Sequence, residues 1–403
     1  MSASGAEAWQ GASKFPEDNP LHERVTDFVK SVDWDALRRH AQSVRGVACE
    51  LSQSYSTGLD NVVRKIDFAD GVQWVARLRM PDMGEAIRRE LLSARRTMEV
   101  EIVTMAYLRK HTSIPVPGVH TYCLDANTKV GAPYMFMDYI HGTVAQDLAE
   151  VKDYDLQTNT AFWKQMAEIQ IELASCTFDR IGSLYNIDDN FTIGPELITG
   201  KGPWNTAEQY WSDLVKSYHT TAEQQGSLQL KNSPSFQLPS KFLKLIKSYG
   251  KLDQKKFCLV NRDFRTHNVL VNDNFEIVGV MDFKSVVAAP IEMVAQFPSF
   301  SGLDRPMPFY QEIKKGARTL DWIKATQPYL DKYVDNLRKA AEASSNKEDM
   351  LEIVQWMMED GASILEGLQK YRQHWLFVNE AWWKAYEKLA EKKEMEAEDK
   401  KNQ

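Results

Sequence analysis

The stretch LVNRDFRTHNVLVNDNFEIVGVMDF, residues 259–283, constrains the fold more than any other part of this chain. It begins as an apolar run, which predicts a buried strand, and continues through a polar loop at 261–268. Two further apolar runs then flank the turn residues Asn272-Asp273-Asn274. Turn residues between two apolar runs are typical of a β-hairpin. We therefore predict a strand, a loop and a hairpin over residues 269–283.

Three oxygen-bearing side chains mark the mouth of this hairpin. Asn268 enters its first strand and Asp282 leaves its second, so we expect both near its open end, with Asp263 in the loop just before. Carboxylate and amide oxygens suit a hard cation such as Mg²⁺. Phosphoryl transfer to a hydroxyl needs one Asp for the acceptor proton, and an Asn and a second Asp for the metal. An acidic turn with no ligand is the alternative, because Asp and Asn are common in turns.

Composition limits the other classes of function. The chain has 403 residues, of which 43% are hydrophobic and 26% charged, so it can bury a substantial core. Its net charge of -7 and its scattered basic residues provide no basic patch, so we expect no nucleic-acid partner. The first twenty residues have no basic start followed by an apolar run, and no stretch elsewhere approaches the roughly eighteen apolar residues of a membrane span. This predicts a cytoplasmic protein without a membrane partner. The four cysteines form no C-x-x-C pair, and we expect reduced thiols.

The order of predicted elements divides the chain into lobes. A small polar arm precedes one amphipathic helix over residues 21–44, and strands separated by Asp-Gly and Thr-Gly turns follow, with one helix between them and the last strand. Beyond Gly142 helices dominate, and residues 259–283 are the only clear β interruption. The predicted segments are an N-terminal arm and helix (1–46), a β-rich lobe (47–141), a helical lobe (142–385) and a charged tail (386–403).

Several segments in the same order resemble one family. Asp263, Asn268 and Met281-Asp282-Phe283 match the pattern H-x-D-x4-N, apolar hairpin and I-D-[WF] of the aminoglycoside phosphotransferase and choline kinase-like family. DGVQWVARLRMP, EIVTMAYLRKHTSIPVP and GAPYMFMDYIHG resemble nucleotide-lobe segments of its fungal branch, and FDRIGSLY and IGPEL are similar to its larger lobe. The resemblance covers roughly residues 47–300.

The resemblance implies an α+β, bilobal protein-kinase-like fold, with a small N-terminal β-rich lobe that binds the nucleotide and a larger, mainly helical C-terminal lobe. It implies ATP and Mg²⁺ as cofactors, Asp263 as the catalytic residue, and Asn268 and Asp282 as metal ligands. Arg77 takes the place of the strand lysine that touches the phosphates, and Glu101 takes the place of its acidic partner. The remaining implied nucleotide contacts are the phosphate-loop glycine Gly58 and the hinge residues Met137, Asp138, Tyr139 and Ile140.

The chain departs from the family pattern around the loop. Asn261 stands where His is usual, Arg262 replaces a common Gly, Arg265 and His267 lie where a Pro-Gly-like pair is usual, and Lys284 follows in place of an acidic residue. Lys284 and Arg262 could bind an anion, and Lys284 could compete with the cation for the charge of Asp282.

We predict an ATP- and Mg²⁺-dependent phosphotransferase that acts on the hydroxyl of a small molecule. The alternative is a kinase-fold protein that has lost or altered phosphoryl transfer and binds or converts a metabolite in the same cleft. A protein kinase is disfavoured, because no activation segment follows Asp282. The acceptor, the choice between ATP and GTP and the oligomeric state stay open. Late aromatic and acidic residues that could face a cationic acceptor, or form core and solvated surface, are Trp356, Glu359, Asp360, Glu366, Tyr371, Trp375, Trp382 and Trp383.

Overall fold

The computed structural model describes residues 9–81, 94–187, 190–225, 234–298, 305, 318–365, 368 and 380–402. The chain forms two compact units. The first comprises Met1–Leu156, Tyr185–Phe191 and Thr266–Lys284, and the second comprises Gln157–Leu184, Thr192–Arg265 and Ser285–Gln403. Within the described residues, no helix is both long enough and apolar enough to span a membrane.

The first unit is built on a five-stranded antiparallel sheet with the strand order β1-β2-β3-β5-β4. The turns predicted at Thr57-Gly58 and Asp70-Gly71 connect its first three strands, which confirms both. Gly71 has a φ of 84°, in the left-handed region that glycine adopts without a steric cost. The strands are β1 (Cys49–Thr57), β2 (Asn61–Phe68), β3 (Gln73–Arg79), β4 (Val119–Cys123) and β5 (Tyr134–Asp138).

Two helices, α1 (Pro20–Ser31) and α2 (Trp34–Arg45), precede this sheet. The single helix predicted over 21–44 is therefore wrong. Val32 is extended, and the Asp33 side chain accepts a hydrogen bond from the Ala36 amide, so Asp33 caps a new helix. The amphipathic pattern continues through the break and hides it. Apolar residues of both helices belong to the same core cluster as the sheet, so the N-terminal helices are part of the first unit.

The predicted hairpin is present in the first unit. Strands β11 (Val269–Val271) and β12 (Ile277–Val280) pair antiparallel, and the short β6 (Thr143–Val144) extends this sheet on the other side of β11. Gly279 faces Ile140, and a Cβ on Gly279 would lie 2.8 Å from Ile140 Cδ1. The hairpin therefore packs closely against the segment that follows β5. Helices α3 (Ala94–His111) and α4 (Ala145–Val151) complete this unit.

The second unit is mainly helical, and together the two units confirm the predicted α+β class. It also holds a three-stranded sheet with the strand order β13-β10-β7. The sequence predicted only β10 (Phe257–Asn261) here; β7 (Thr177–Phe178) and β13 (Val286–Ala289) are short and lack the alternation that marks a half-buried strand.

Two further strands, β8 (Ser183–Ile187) and β9 (Asn190–Gly194), pair with each other. The expectation of one β interruption beyond Gly142 is thus wrong. The remaining helices are α5 (Thr160–Ala174), α6 (Ala207–Gln225), α7 (Leu238–Tyr249), α8 (Ile291–Val294), α9 (Arg318–Ala343), α10 (Lys347–Met357) and α11 (Glu380–Asn402).

The first unit extends beyond the residues predicted for the small lobe. It includes the N-terminal helices, residues 142–156 and the β11–β12 hairpin. The unit is defined by packing, whereas the predicted boundaries were placed where the pattern of apolar residues in the sequence changes. The functional division of the chain at residue 141 stays a prediction.

Candidate active site

Asn268 and Asp282 lie at the open end of the hairpin, in the first unit. Asn268 ends a short 3-10 helix, Thr266–Asn268, and its carbonyl oxygen accepts a hydrogen bond of 2.8 Å from the Met281 amide. This bond continues the β11–β12 pairing by one step and fixes the residue before Asp282 opposite Asn268. The hairpin thus brings the two predicted metal ligands to the same end.

Asp282 adopts a left-handed backbone conformation, with a φ of 60°. This region costs a residue with a side chain about 1 kcal/mol, although Asp and Asn enter it more readily than most. Such conformations concentrate at functional sites, where a side chain has to be aimed in a particular direction. The backbone of Asp282 is therefore consistent with a functional position.

The Asn268 amide and the Asp282 carboxylate fit a hard cation. Both side chains are half-buried and both offer oxygen, the donor that Mg²⁺ prefers. Mg²⁺ usually takes only one or two protein ligands and keeps water and phosphate oxygens for its remaining positions. A pair of oxygen donors at one hairpin end is therefore chemically adequate.

Arg77 on β3 forms an ion pair with Glu101 on α3, and the Nη1–Oε1 distance is 2.5 Å. Both side chains are nearly buried, 12% and 3% exposed. Burial alone would lower the pKa of the Arg77 guanidinium, but the neighbouring carboxylates, above all Glu101, raise it above its ordinary value. Asp282 and Asp60 add to this effect, so Arg77 remains a cation near the mouth of the hairpin. The pairing expected from the resemblance is present, and its role stays a prediction.

Lys284 lies between two carboxylates of the first unit. Its Nζ is 2.8 Å from Asp60 Oδ2 and 3.6 Å from Asp282 Oδ2. Asp60 sits in the turn between β1 and β2, and its Oδ2 is also 3.5 Å from Arg79 Nη1. Lys284 thus already has carboxylate partners, which disfavours the idea that it binds an exogenous anion on its own.

The turn that holds Gly58 is stabilised by the N-terminal segment. Gly58 is exposed, and its amide donates to the Asn61 carbonyl in the turn. The Arg24 guanidinium on α1 donates to the carbonyl oxygens of Leu59 and Pro81. Hydrogen bonds from a helix that precedes the sheet therefore stabilise this turn, which contains one glycine.

The predicted hinge residues lie at and just after the end of β5, an inner strand of the sheet. Met137 is buried in β5, while the Asp138 carboxylate accepts a 2.7 Å hydrogen bond from the Gly118 amide and lies 2.9 Å from His120 Nε2. The Asp138 amide donates to the carbonyl oxygen of Gly118, just before β4, and the Tyr139 amide donates to that of Gln73 in β3. These residues therefore have well-defined internal partners, and an adenine contact at 137–140 stays a prediction.

Asp263 lies in the second unit, in the loop that follows β10. Its backbone amide donates to the Asn261 side chain at 3.0 Å, and its Oδ1 lies 3.0 Å from Arg265 Nε. Asn261 therefore shapes the loop where the family pattern has His. Arg265 holds the carboxylate of Asp263 by a charge-assisted contact, which orients it.

Arg262 forms a buried ion pair with Glu196, and the Nη1–Oε1 distance is 2.5 Å. The Glu196 side chain is fully buried, and its other oxygen accepts hydrogen bonds from the Thr199 amide and hydroxyl. Burial alone would lower the pKa of Arg262, but Glu196 raises it. Arg262 is thus committed to a structural pair, and the expectation that it binds an anion directly is not supported.

The remaining predicted residues contribute less. His267 is exposed on the 3-10 helix and Trp356 is buried in the core of the second unit. Glu359 and Asp360 follow α10, and Lys392 Nζ lies 2.6 Å from the Asp360 carboxylate. The proposed acceptor wall at Glu366, Tyr371 and Trp375 lies outside the described residues, as do the side chains of Trp382 and Trp383.

Sequence reasoning missed Asp60, Glu196 and Arg24. Asp60 and Glu196 pair with the predicted site residues Lys284 and Arg262, which are far away in the sequence. Arg24 contacts the turn that holds Gly58 through the Leu59 carbonyl. The one available signal was indirect: an unusual cation at 262 or 284 in a half-buried loop needs a carboxylate partner. That requirement does not say which carboxylate is used.

Comparison with known proteins identifies the family. Residues 53–293, more than half of the chain, match the model of the phosphotransferase enzyme family. One segment is 35% identical over 97 residues to "Altered inheritance of mitochondria protein 9, mitochondrial" of Candida tropicalis, covering 22% of this chain and 15% of that protein. Another is 28% identical over 143 residues to a subtelomeric hrmA-associated cluster protein of Aspergillus fumigatus, covering 31% of this chain and 25% of that protein. The matches thus span a quarter or less of these curated relatives.

The similarity of this chain to solved structures is low. Aminoglycoside phosphotransferase APH(4)-Ia has a TM-score of 0.45 and 16% identity, with 86% of this chain and 94% of that chain covered. A macrolide 2'-phosphotransferase of Brachybacterium faecium has a TM-score of 0.43 and 14% identity, with 87% and 96% covered. Likenesses of this size indicate no substrate. The match over residues 53–293 nevertheless agrees with the resemblance found in the sequence, and this chain belongs to the phosphotransferase enzyme family.

Proposed function

We propose that this protein transfers the γ-phosphoryl group of ATP, with Mg²⁺, to the hydroxyl of a small molecule. The observation that carries the proposal is the buried Arg77–Glu101 pair, whose cation is also influenced by the Asp282 carboxylate. A guanidinium held in a fixed position close to a candidate metal ligand can stabilise the negative charge of bound phosphates. Membership of the phosphotransferase enzyme family supports the same reaction class.

In the proposed reaction, the acceptor oxygen bonds to the γ-phosphorus while the bond from that phosphorus to the bridging oxygen breaks, and ADP leaves. Asp263 orients the acceptor hydroxyl and takes its proton, and Arg265 keeps the Asp263 carboxylate in position. Arg77, oriented by Glu101, offers its guanidinium to the phosphates. Asn268 and Asp282 would hold Mg²⁺, which would supply neutralisation of the phosphate charge.

The alternative, a family member without phosphoryl transfer, rests on the substitutions at 261, 262 and 284 and on a phosphate loop with a single glycine, Gly58. The local geometry weakens this argument for the substitutions at 261 and 262. Asn261 supports the Asp263 amide, and Arg262 pairs with Glu196 without involving Asp263. These two substitutions therefore support the folded loop and leave the Asp263 carboxylate to Arg265.

The experiment is a transfer assay with labelled ATP, Mg²⁺ and a broad panel of small hydroxyl compounds, including a metabolite extract. We expect a phosphorylated product with the wild type and a loss of about a thousandfold in turnover with Asp263→Asn, within the range for general-base catalysis. Asp273→Asn is the matched control, because Asp273 is an exposed carboxylate at the turn end of the same hairpin.

Absence of product from any acceptor, with ATP binding intact, would favour the alternative. Equal turnover by wild type and Asp263→Asn would show that Asp263 is not the catalytic residue. Both results differ from a loss of folding, which the melting temperature of each variant reports.

A further inference from the structure

Lys284 follows the candidate metal ligand Asp282 by two residues and is turned toward Asp60. Its Nζ is 2.8 Å from Asp60 Oδ2, a hydrogen-bonded ion pair, and 3.6 Å from Asp282 Oδ2. The lysine side chain is only 16% exposed. A half-buried ammonium is costly without a carboxylate partner. We therefore expect the Lys284 ammonium to remain paired with a carboxylate.

Asp60 is suited to hold this ammonium. Burial alone would raise the pKa of Asp60, but Lys284 and Arg79 outweigh burial and lower the pKa below its ordinary value. The Asp60 carboxylate is therefore charged at neutral pH. An ammonium that pairs with Asp60 interacts less strongly with the Asp282 carboxylate than an ammonium that pairs with Asp282 alone.

The position of Asp60 is fixed by its backbone. Its carbonyl oxygen accepts a 2.9 Å hydrogen bond from the Met80 amide, and the neighbouring Leu59 carbonyl is held by Arg24. The carboxylate is thus attached to a defined turn of the sheet. A fixed anion holds a flexible lysine more reliably than a mobile one, because less side-chain entropy is lost on pairing.

We propose that Asp60 is a positioning residue for the metal site: it holds Lys284 at the β1–β2 turn and so leaves the Asp282 carboxylate available to Mg²⁺. This inference rests on the proposed function. Without Asp60, the Lys284 ammonium still has the Asp282 carboxylate within 3.6 Å. Lys284 and the cation then compete for one carboxylate, and the affinity for Mg²⁺ falls.

The two residues are expected to be coupled, and a double-mutant cycle measures such coupling. Asp60→Asn keeps the size of the side chain and removes its charge. Lys284→Met removes the competing ammonium and keeps an apolar stem of similar length. The loss of Mg²⁺ affinity caused by Asp60→Asn should disappear when Lys284→Met is also present.

The test measures the Mg²⁺ concentration that gives half of the ATP-induced rise in melting temperature, and a Mn²⁺ titration without nucleotide provides a second readout. We expect Asp60→Asn to raise the half-maximal concentration about tenfold, which corresponds to about 1.4 kcal/mol. Lys284→Met and the double variant should stay within about twofold of the wild type, a difference of less than about 0.5 kcal/mol. Asp70→Asn is the matched control, since Asp70 lies in the next turn of the same sheet and pairs with Arg45.

The outcomes separate this inference from the proposed function. If the wild type binds ATP with Mg²⁺ but Asp60→Asn has the same metal dependence, or if Lys284→Met does not rescue it, the inference is wrong. If the wild type shows no response to ATP and Mg²⁺, the proposed function fails first. If Asp60→Asn is unfolded, a normal metal dependence in Lys284→Met together with a weakened one in the folded double variant would overturn the inference.

Discussion

Arg77 on the third strand and Glu101 on the following helix form a buried ion pair with a distance of 2.5 Å between Nη1 and Oε1. The pair links the sheet of the first unit to α3 and keeps one guanidinium in a fixed direction. It costs desolvation of two charges, which is recovered only when both partners are present.

Removal of one partner of this pair should destabilise the protein more than removal of both. We expect Arg77→Met to lower the free energy of unfolding by about 3 kcal/mol, because Glu101 then remains as an unpaired buried charge. The double variant Arg77→Met/Glu101→Met should recover most of this loss while remaining unable to bind ATP tightly. Urea unfolding and ATP titration measure the two quantities, and equal stability of the single and double variants would contradict the account.

Arg262 forms a buried ion pair with Glu196. The glycine that is common at this position in the family pattern should therefore destabilise this chain. Arg262→Gly leaves the Glu196 carboxylate without its guanidinium, and we expect a loss of about 2–4 kcal/mol in unfolding free energy. Adding Glu196→Gln should restore part of it. Arg180→Gly serves as the control in thermal or urea unfolding, because Arg180 lies in the same unit and its side chain is 40% exposed. A stable Arg262→Gly single variant would show that the pair is dispensable.

Arg24 should influence nucleotide binding from outside the residues that match the family. It bonds the carbonyl oxygens of Leu59 and Pro81, so Arg24→Ala should loosen the turn that holds Gly58 and Asp60. We expect KM for ATP to rise about five- to tenfold with little change in kcat, the size expected for loss of a charged hydrogen bond. Arg39→Ala, on the exposed face of α2, is the control. A fall in kcat with unchanged KM would refute this role.

The four cysteines should differ in reactivity. Burial raises the pKa of the Cys258 thiol to about 12 and also raises that of Cys49, while Cys176 is buried. At pH 8 the thiolate fraction of Cys258 is about a thousandfold smaller than that of an ordinary thiol. Iodoacetamide labelling followed by mass spectrometry should therefore modify Cys123 first, and all four only after unfolding. Rapid labelling of Cys258 in the folded protein would contradict its raised pKa.

The hairpin could be predicted because its information is local. Turn residues between two apolar runs define its strands, and the same runs place Asn268 and Asp282 at one end. The family resemblance added the partners Arg77 and Glu101, which lie at matching places in separate segments. In these regions local pattern and tertiary structure agree.

The positions that were missed depend on distant or very short contacts. Asp60 and Lys284 are 224 residues apart, and no local periodicity connects them. The break between α1 and α2 was hidden because apolar spacing continues through Val32, although Asp33 is a good capping residue. β7, with two residues, is too short to show alternation.

The most direct measurement of the central claim is the change in melting temperature that ATP causes with and without Mg²⁺, for wild type, Asp282→Ala and the hairpin control Asp273→Asn. A ligand at 100 times its dissociation constant adds about 2.7 kcal/mol to the stability of the native state. We predict a Mg²⁺-dependent rise for wild type and Asp273→Asn that is lost in Asp282→Ala. The same rise in Asp282→Ala, or none in the wild type, would contradict the assignment of this hairpin as the metal and nucleotide site.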